Sequence, residues 1–310
     1  MNARVDLYQQ VTDRMIAALE AGTRPWQQDW ASLDPLRANG QRYRGINVLL
    51  LAMSSGAHGF TGQHWMTFKQ AKELGGSIRK GERGTHIVFF KSLSIEDSTA
   101  PNGERSVPVL RGYTVFNVDQ VDGLPAGKFT AAALDLTGAK GRDHEAEGAL
   151  LSCGATIRHG GERAYYSPAD DYVQMPDFER FFSTEGYLAT MAHELAHWTG
   201  HTSRLDRAKG HRFASRGYAF EELIAEMGAA FIGARLGFSG DHLENHAAYL
   251  ASWLKVLKDD KRAIFTAASA AQAAADMVLA NAGCGEATPL PASPAVQAEA
   301  AAQARQMVLI

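Results

Sequence analysis

His193 and His197 stand four residues apart with Glu194 directly after the first, giving the run HELAH, an HExxH pattern. Four residues advance an α-helix by about 400°, so on a helix both imidazoles face the same way. Together they can hold one zinc ion as two of its protein ligands, while Glu194 reaches over the open position where a water would sit. That is the ground plan of a metal-activated hydrolase.

The surrounding residues supply the helix. The run TEGYLATMAHELAHWT, from Thr184 to Thr199, offers Thr184 as N-cap, places Leu188, Met191, Leu195 and Trp198 at helical spacing, and is followed by Gly200 as C-cap. A second helix is predicted from Tyr218 to Leu236, apolar on nearly every side, as a buried helix reads. Three glutamates crowd its first turns. Glu222 and Glu226, four apart, share a face, whereas Glu221 is expected to point elsewhere. Carboxylates on a buried helix need a partner, and a metal on the two histidines would provide one. Glu226 is favoured as third ligand because Ala225, Gly228 and Ala229 allow close helix approach. Glu222 is the alternative, with the other glutamate hydrogen-bonding a ligand histidine.

In such a site Glu194 acts as general base toward a carbonyl, and amide hydrolysis is the natural reaction. Tyr187, Tyr218, His201 and His211 are candidate donors to the developing oxyanion. Zinc is the expected ion, with another divalent metal possible. Upstream, AYYSPADDYVQMP reads as a hairpin of Ala164 to Ser167 and Tyr172 to Met175, which either binds an extended peptide by strand addition or caps the core.

The chain has 310 residues, 45% apolar and 21% charged, which fits two globular domains. No run looks long and apolar enough to cross a bilayer, and MNARVDLYQQ lacks the apolar core of a signal peptide, so a cytoplasmic, membrane-free protein is expected. Two distant cysteines, Cys153 and Cys284, make neither a disulfide framework nor a zinc knuckle.

The formal net charge of −3 hides an asymmetry. Between Arg37 and Lys91 nine Lys and Arg face two acidic residues, a local +7 that leaves −10 for the remainder. Tyr43, Phe60, Trp65, Phe68, Phe89 and Phe90 are interleaved with these cations. Cations for phosphates and aromatic faces for unstacked bases are what single-stranded nucleic acid requires.

Several motifs occur in a fixed order: PW (Pro25, Trp26), NGQRYRGIN (Asn39 to Asn47), WMTFKQA (Trp65 to Ala71), GGSIRKGERGT (Gly75 to Thr85) and YTVFNVDQ (Tyr113 to Gln120). They resemble the single-stranded-DNA-binding domain of ArdC-type antirestriction proteins, a domain similar to that which begins TraC-type primases of conjugative plasmids. Further on, ERAYYSP, HELAHWTGH and EELIAEMGAAF resemble the zincin-like metallopeptidase domain of the same family, gluzincin-like in its ligands. The resemblance covers about residues 5 to 280 and implies a protein that shields incoming plasmid DNA from host restriction, with a host protein as a possible peptidase substrate. Expected strand contacts are Arg42, Arg44, Lys69, Arg79 and Lys80 to phosphates, Tyr43 and Trp65 to bases, and Asn47.

The resulting expectation is α+β, in two domains: a small α+β single-stranded-DNA binder (1–125), a linker (126–141), a mainly helical metallopeptidase domain with a small sheet (142–284) and a mobile tail (285–310). The first domain is expected to bind DNA on its own. Helices are expected at Asp143 to Cys153, Asn245 to Leu257 and Lys261 to Leu279. Two rivals stand beside this reading: a DNA-binding protein with a structural or vestigial metal site, and a metal-dependent nuclease.

Overall fold

A computed structural model describes residues 6–23, 26, 35–96, 104–129, 143–207, 216–238 and 246–284. Pro25, residues 130–141 of the expected linker, His211, Arg212, Asn245 and the tail from 285 lie outside the described residues.

The N-terminal part is built on a long hairpin. β4 (Thr85–Glu96) and β5 (Glu104–Asn117) pair antiparallel with Thr85 opposite Val115 and Glu96 opposite Glu104. β2 (His64–Met66) adds antiparallel to β5, and β1 (Leu36–Arg37) adds parallel to β2, giving the order β1-β2-β5-β4. A second, two-stranded sheet joins β3 (Ser77–Ile78) to β6 (Val121–Asp122). Two long helices accompany the sheets, α1 (Leu7–Glu20) and α2 (Ile46–His58), with the short α3 (Phe68–Glu73).

α2 is apolar on more than one side, and the reason is its position. Leu51 packs on the sheet with Tyr43, Trp65, Ile87 and Val115, while Ile46, Val48, Leu49 and Leu50 belong to the main core of the molecule. At the start of the helix Asn47 satisfies the outer edge of β4: its amide Nδ2 donates to the Val88 carbonyl at 2.7 Å and its Oδ1 accepts from the Val88 N–H at 3.0 Å. An uncovered strand edge invites unwanted pairing, and here a side chain blunts it.

The C-terminal part begins with α4 (His144–Leu151) and a three-stranded sheet in the order β7-β9-β8. The expected hairpin is present as β8 (Tyr165–Ser167) and β9 (Tyr172–Met175), and β7 (Thr156–His159) adds parallel to β9. The sequence reading did not anticipate β7, whose TIRH exposes three of its four residues. α5 (Thr184–Thr199) and α6 (Arg216–Leu236) follow, then α7 (His246–Asp259) and α8 (Ala263–Asn281). The N-cap of α5 is Ser183 rather than Thr184, its hydroxyl accepting from the Gly186 N–H.

α8 corrects one expectation. It is long and apolar enough to cross a membrane, yet Ala267, Ala268, Ala271, Ala274 and Val278 are buried against the other helices. Alanine here serves close helix packing.

The two parts share a core. Val11, Met15 and Leu19 of α1 and Val48 to Leu50 of α2 lie in one apolar cluster with residues of α5 to α8. Trp26 meets Trp253 edge-on at 5.6 Å, Tyr8 meets Phe265 at 4.8 Å, and the Thr12 hydroxyl donates to the Lys261 carbonyl at 2.8 Å. A free-standing first domain would expose these faces to water.

Candidate metal centre and nucleic-acid interface

The HExxH histidines lie in the last turns of α5, where all but one of the residues from Gly186 to Thr199 are buried. α6 crosses close by because the contact residues are small. A Cβ added at Gly228 would sit 3.0 Å from the Ala196 Cβ, and Ala196, Ala225 and Ala274 form a cluster of their own. This approach brings three glutamates onto two imidazoles.

His193 Nε2 and His197 Nε2 face each other at 3.1 Å. Glu222 spans them, one oxygen 3.4 Å from His197 Nε2 and the other 3.7 Å from His193 Nε2. Ligand atoms held about 2.1 Å from a tetrahedral ion lie about 3.4 Å apart, so the spacing suits a divalent metal. His193, His197 and Glu222 each bring a donor atom to within 4.8 Å of the others. Glu226 approaches the far side of the ring, its Oε1 lying 3.6 Å from His193 Nδ1. Glu222, the alternative in the sequence reading, thus reaches the Nε2 atoms of both rings, and Glu226, its preference, reaches the rear of one.

Glu221 also departs from expectation. Instead of pointing away, it lies 3.6 Å from His197 Nδ1, so each histidine has a carboxylate at its rear nitrogen. Arg207 holds Glu221 through Nη2 at 3.0 Å and also donates to the Ala196 carbonyl at 2.7 Å, closing the end of α5 onto α6. Adjacent glutamates can both serve because they meet His197 from opposite sides of its ring, Glu221 at Nδ1 and Glu222 at Nε2. A single helix taken in isolation carries no such signal.

Electrostatics follow from burial. Desolvation pulls both imidazoles toward the neutral form, but Glu222 on His193, and Glu221 and Glu222 on His197, outweigh it, and both pKa values are raised, that of His197 well above the usual range. Burial likewise works against the Glu222 carboxylate, and the two histidines overcome it and push its pKa far down. Among the described residues, Glu221, Glu222 and Glu226 pair with the imidazole nitrogens. Glu194, only 9% exposed, stays close enough for its charge to raise both histidines.

Of the expected oxyanion donors, Tyr187 is engaged elsewhere: its hydroxyl donates to Glu147 at 3.0 Å and faces His159 Nε2 at 2.9 Å. His201 binds Ser203 through Nδ1. Arg204, which the sequence did not single out for the site, stacks on Trp198 at 4.1 Å and pairs with Asp171 in the β8–β9 turn, fixing the hairpin to the end of α5.

The expected DNA contacts separate into two groups. Lys69 and Lys80 are exposed, Lys69 lying 3.7 Å from Glu73. Arg44 pairs with Asp276 of α8, and Arg79 pairs with Glu82 and Asp122. Arg42 is half-buried. Tyr43 and Trp65 are core: Trp65 is 1% exposed, and burial raises the Tyr43 hydroxyl to about 12 despite nearby Arg37. Neither ring offers a face to a base. Asn47 is spent on the Val88 backbone.

Residues 144–270 match the family described as zincin-like metallopeptidase, and residues 5–116 match the N-terminal domain of anti-restriction factor ArdC. The chain is 49% identical to the antirestriction protein ArdC of plasmid R388 in a metal-free crystal structure, with a TM-score of 0.79 over 91% of this chain and 100% of that one. The chain belongs to the ArdC antirestriction family. A Mn(II)-bound structure of the same plasmid protein aligns with 48% identity and a TM-score of 0.77 over 90% of this chain and 98% of that one. The protein y4eC of Sinorhizobium fredii is 41% identical, over 89% of this chain and 92% of its own length. DNA primase TraC of Escherichia coli is 40% identical over 88% of this chain, which spans only 27% of the primase.

Proposed function

We propose that the chain is a zinc-dependent metallopeptidase joined to a single-stranded-DNA-binding domain, acting in the cytoplasm to protect DNA of a conjugative plasmid or mobile element from host restriction. One observation carries the peptidase reading. Two imidazole Nε2 atoms and one carboxylate converge at metal-ligand spacing, and the Glu194 carboxylate lies close enough for its charge to act on both rings. We take His193, His197 and Glu222 as ligands, with Glu226 and Glu221 orienting the rings from behind.

A zinc ion held by His193, His197 and Glu222 would supply Lewis acidity and would make a bound water acidic near neutral pH. Glu194 is placed to take a proton from the attacking water and to return it to the leaving nitrogen of the amide. Closely packed α5 and α6 exclude bulk water from one side. Edge strand β8, fixed to α5 through the Arg204–Asp171 pair, is a template for an extended peptide.

The DNA reading rests on the local +7 of Arg37 to Lys91 and on similarity to proteins named for antirestriction and for priming DNA synthesis. A nuclease would be better served by a carboxylate-rich, multi-metal site than by two histidines and one carboxylate.

The deciding experiment measures metal content and hydrolysis of a denatured-protein substrate for wild type and Glu194→Gln, with and without single-stranded DNA. Glu194→Gln should keep stoichiometric metal and lose about 100-fold or more of the activity, as loss of a general base does. Zinc-loaded wild type without activity, or a fully active Glu194→Gln, would leave the metal structural and return the protein to pure DNA binding.

A further inference from the structure

The rings expected to stack on bases are buried, but the same hairpin displays others. Side chains alternate along a strand, so Thr85, Ile87 and Phe89 share one face of β4, and the register places Val115, Tyr113 and Arg111 on that face of β5. The first half of this face is closed: Ile87 and Val115 pack with Leu51 of α2, Tyr43 and Trp65. Farther along the hairpin it is open, with Phe89 44% and Tyr113 40% exposed. The opposite face at the same level is occupied. Phe90 meets Tyr8 at 6.2 Å and Phe265 at 5.9 Å, and the Gly112 position abuts Leu7. Phe90, though 46% exposed, thus has ring partners on α1 and α8, whereas among the described residues the rings of Phe89 and Tyr113 meet each other alone.

From this arrangement we infer that Phe89, Tyr113 and Arg111, on the open face of the β4–β5 hairpin, form the platform on which unpaired bases of single-stranded DNA stack. The inference rests on the DNA-binding reading above and assigns it a surface. The two rings meet edge-on, at 6.3 Å and 84°, which leaves ring faces free for bases. Arg111 stands directly across from Phe89 and is exposed, placing a guanidinium where a phosphate would pass beside a stacked base. Charge selects the occupant. Phe89 belongs to the Arg37–Lys91 segment of net +7 in a chain of net −3, and Arg111 adds an exposed cation directly across from it, which favours a polyanion over an apolar partner. Single strands expose base faces that duplex DNA hides.

The test is fluorescence anisotropy of full-length protein with a labelled oligothymidine and with a labelled duplex, across a salt series. Phe89→Ala and Tyr113→Ala should each weaken single-strand binding about 5- to 100-fold without altering its salt dependence. Phe89→Tyr and Tyr113→Phe should restore it. Arg111→Ala should flatten the log-log salt slope by about 0.7. All these side chains are exposed, so metal content and thermal midpoint should stay those of wild type. Alanine variants that bind as wild type, or that lose duplex and single-strand binding equally, would overturn the platform. So would variants whose only effect is to abolish self-association in sedimentation, since the face would then belong to a second copy. Wild type that binds no single strand at all would instead remove the DNA reading beneath it.

Discussion

At the scale of single residues the sharpest question is the division of labour among the glutamates. Glu222 faces the Nε2 atoms of both histidines and Glu226 the rear of one. Glu222→Gln should therefore lose metal most completely, while Glu226→Gln and Glu221→Gln should weaken binding about 10- to 100-fold, as loss of a ring-orienting partner does. Competition with a chromogenic chelator reads the order directly, and Glu226→Gln as the worst variant would restore the ranking drawn from sequence. Protonation gives a second check. In chelated protein both imidazoles have pKa values above their ordinary 6.5, so the charged rings contribute stability that is complete below that value and lost as pH rises through the raised folded pKa. Glu222, with its pKa depressed, contributes above the ordinary carboxylate value of 4.5 and loses that contribution only as pH falls through its folded pKa. The metal-free protein should thus gain its largest contribution from this cluster between about pH 5 and 6.5. Thermal melts in chelator should show that gain diminishing as pH is raised above 6.5, and the difference should shrink in His193→Asn/His197→Asn. Metal binding needs neutral rings, so its apparent affinity should move the other way and strengthen with rising pH.

At the scale of elements, the site depends on how near α6 comes to α5. A Cβ at Gly228 would already be 3.0 Å from the Ala196 Cβ, so Gly228→Val overfills the contact. It should cost about 1–3 kcal/mol in stability, as overpacking does, and weaken metal binding by moving Glu222 off the histidines. Denaturant unfolding with and without metal separates the two effects, and wild-type metal affinity in Gly228→Val would show that the cluster tolerates a wider helix spacing. Asn47 tests the sheet in the same way. Asn47→Ala removes two hydrogen bonds at the β4 edge and should destabilise by about 1–3 kcal/mol while leaving the salt slope of DNA binding unchanged. A changed slope with normal stability would instead place Asn47 on the strand.

Across the whole molecule, the family boundaries and the core boundaries do not coincide. The N-terminal match ends at residue 116 and the metallopeptidase match begins at 144, but α1 and α2 pack into the same apolar cluster as α5 to α8. A single cooperative thermal transition is expected, observed alike by Trp fluorescence and by far-ultraviolet circular dichroism. Trp253 is 1% exposed, meets Trp26 and donates its Nε1–H to the Ala219 carbonyl at 3.0 Å. Trp253→Ala should cost about 3–5 kcal/mol and lower both signals together. A fragment ending near residue 125 would leave Met15, Leu19 and Leu50 without partners, so it should aggregate or unfold at temperatures the full chain withstands. Two separated transitions, or a fragment as stable as the whole, would show that the shared cluster is a weak contact.

The sequence by itself determined whatever is local and periodic. HELAH on an amphipathic run gives two imidazoles on one face, an almost wholly apolar stretch with glutamates gives a buried helix with polar business, and two short β-rich pieces around Pro-Ala-Asp-Asp give the β8–β9 hairpin. The cation-rich segment and the motif order were equally plain. Only the tertiary structure decided which partner each residue meets. Glu221, Glu222 and Glu226 differ by where α5 crosses α6, a distance set by Gly228 and three alanines on three helices rather than by any spacing along one. Trp65 and Phe89 are both aromatics in a basic segment, and one is core while the other is exposed because α2 covers only the first half of the hairpin face. The alanine-rich α8 looks like a chain of weak contacts until it is placed at the centre of the bundle, where small side chains let it close on α2, α4, α5, α6 and α7. Side-chain type is written in the chain, but exposure and partnership belong to elements far apart in sequence, and these become neighbours only when their apolar faces are buried together.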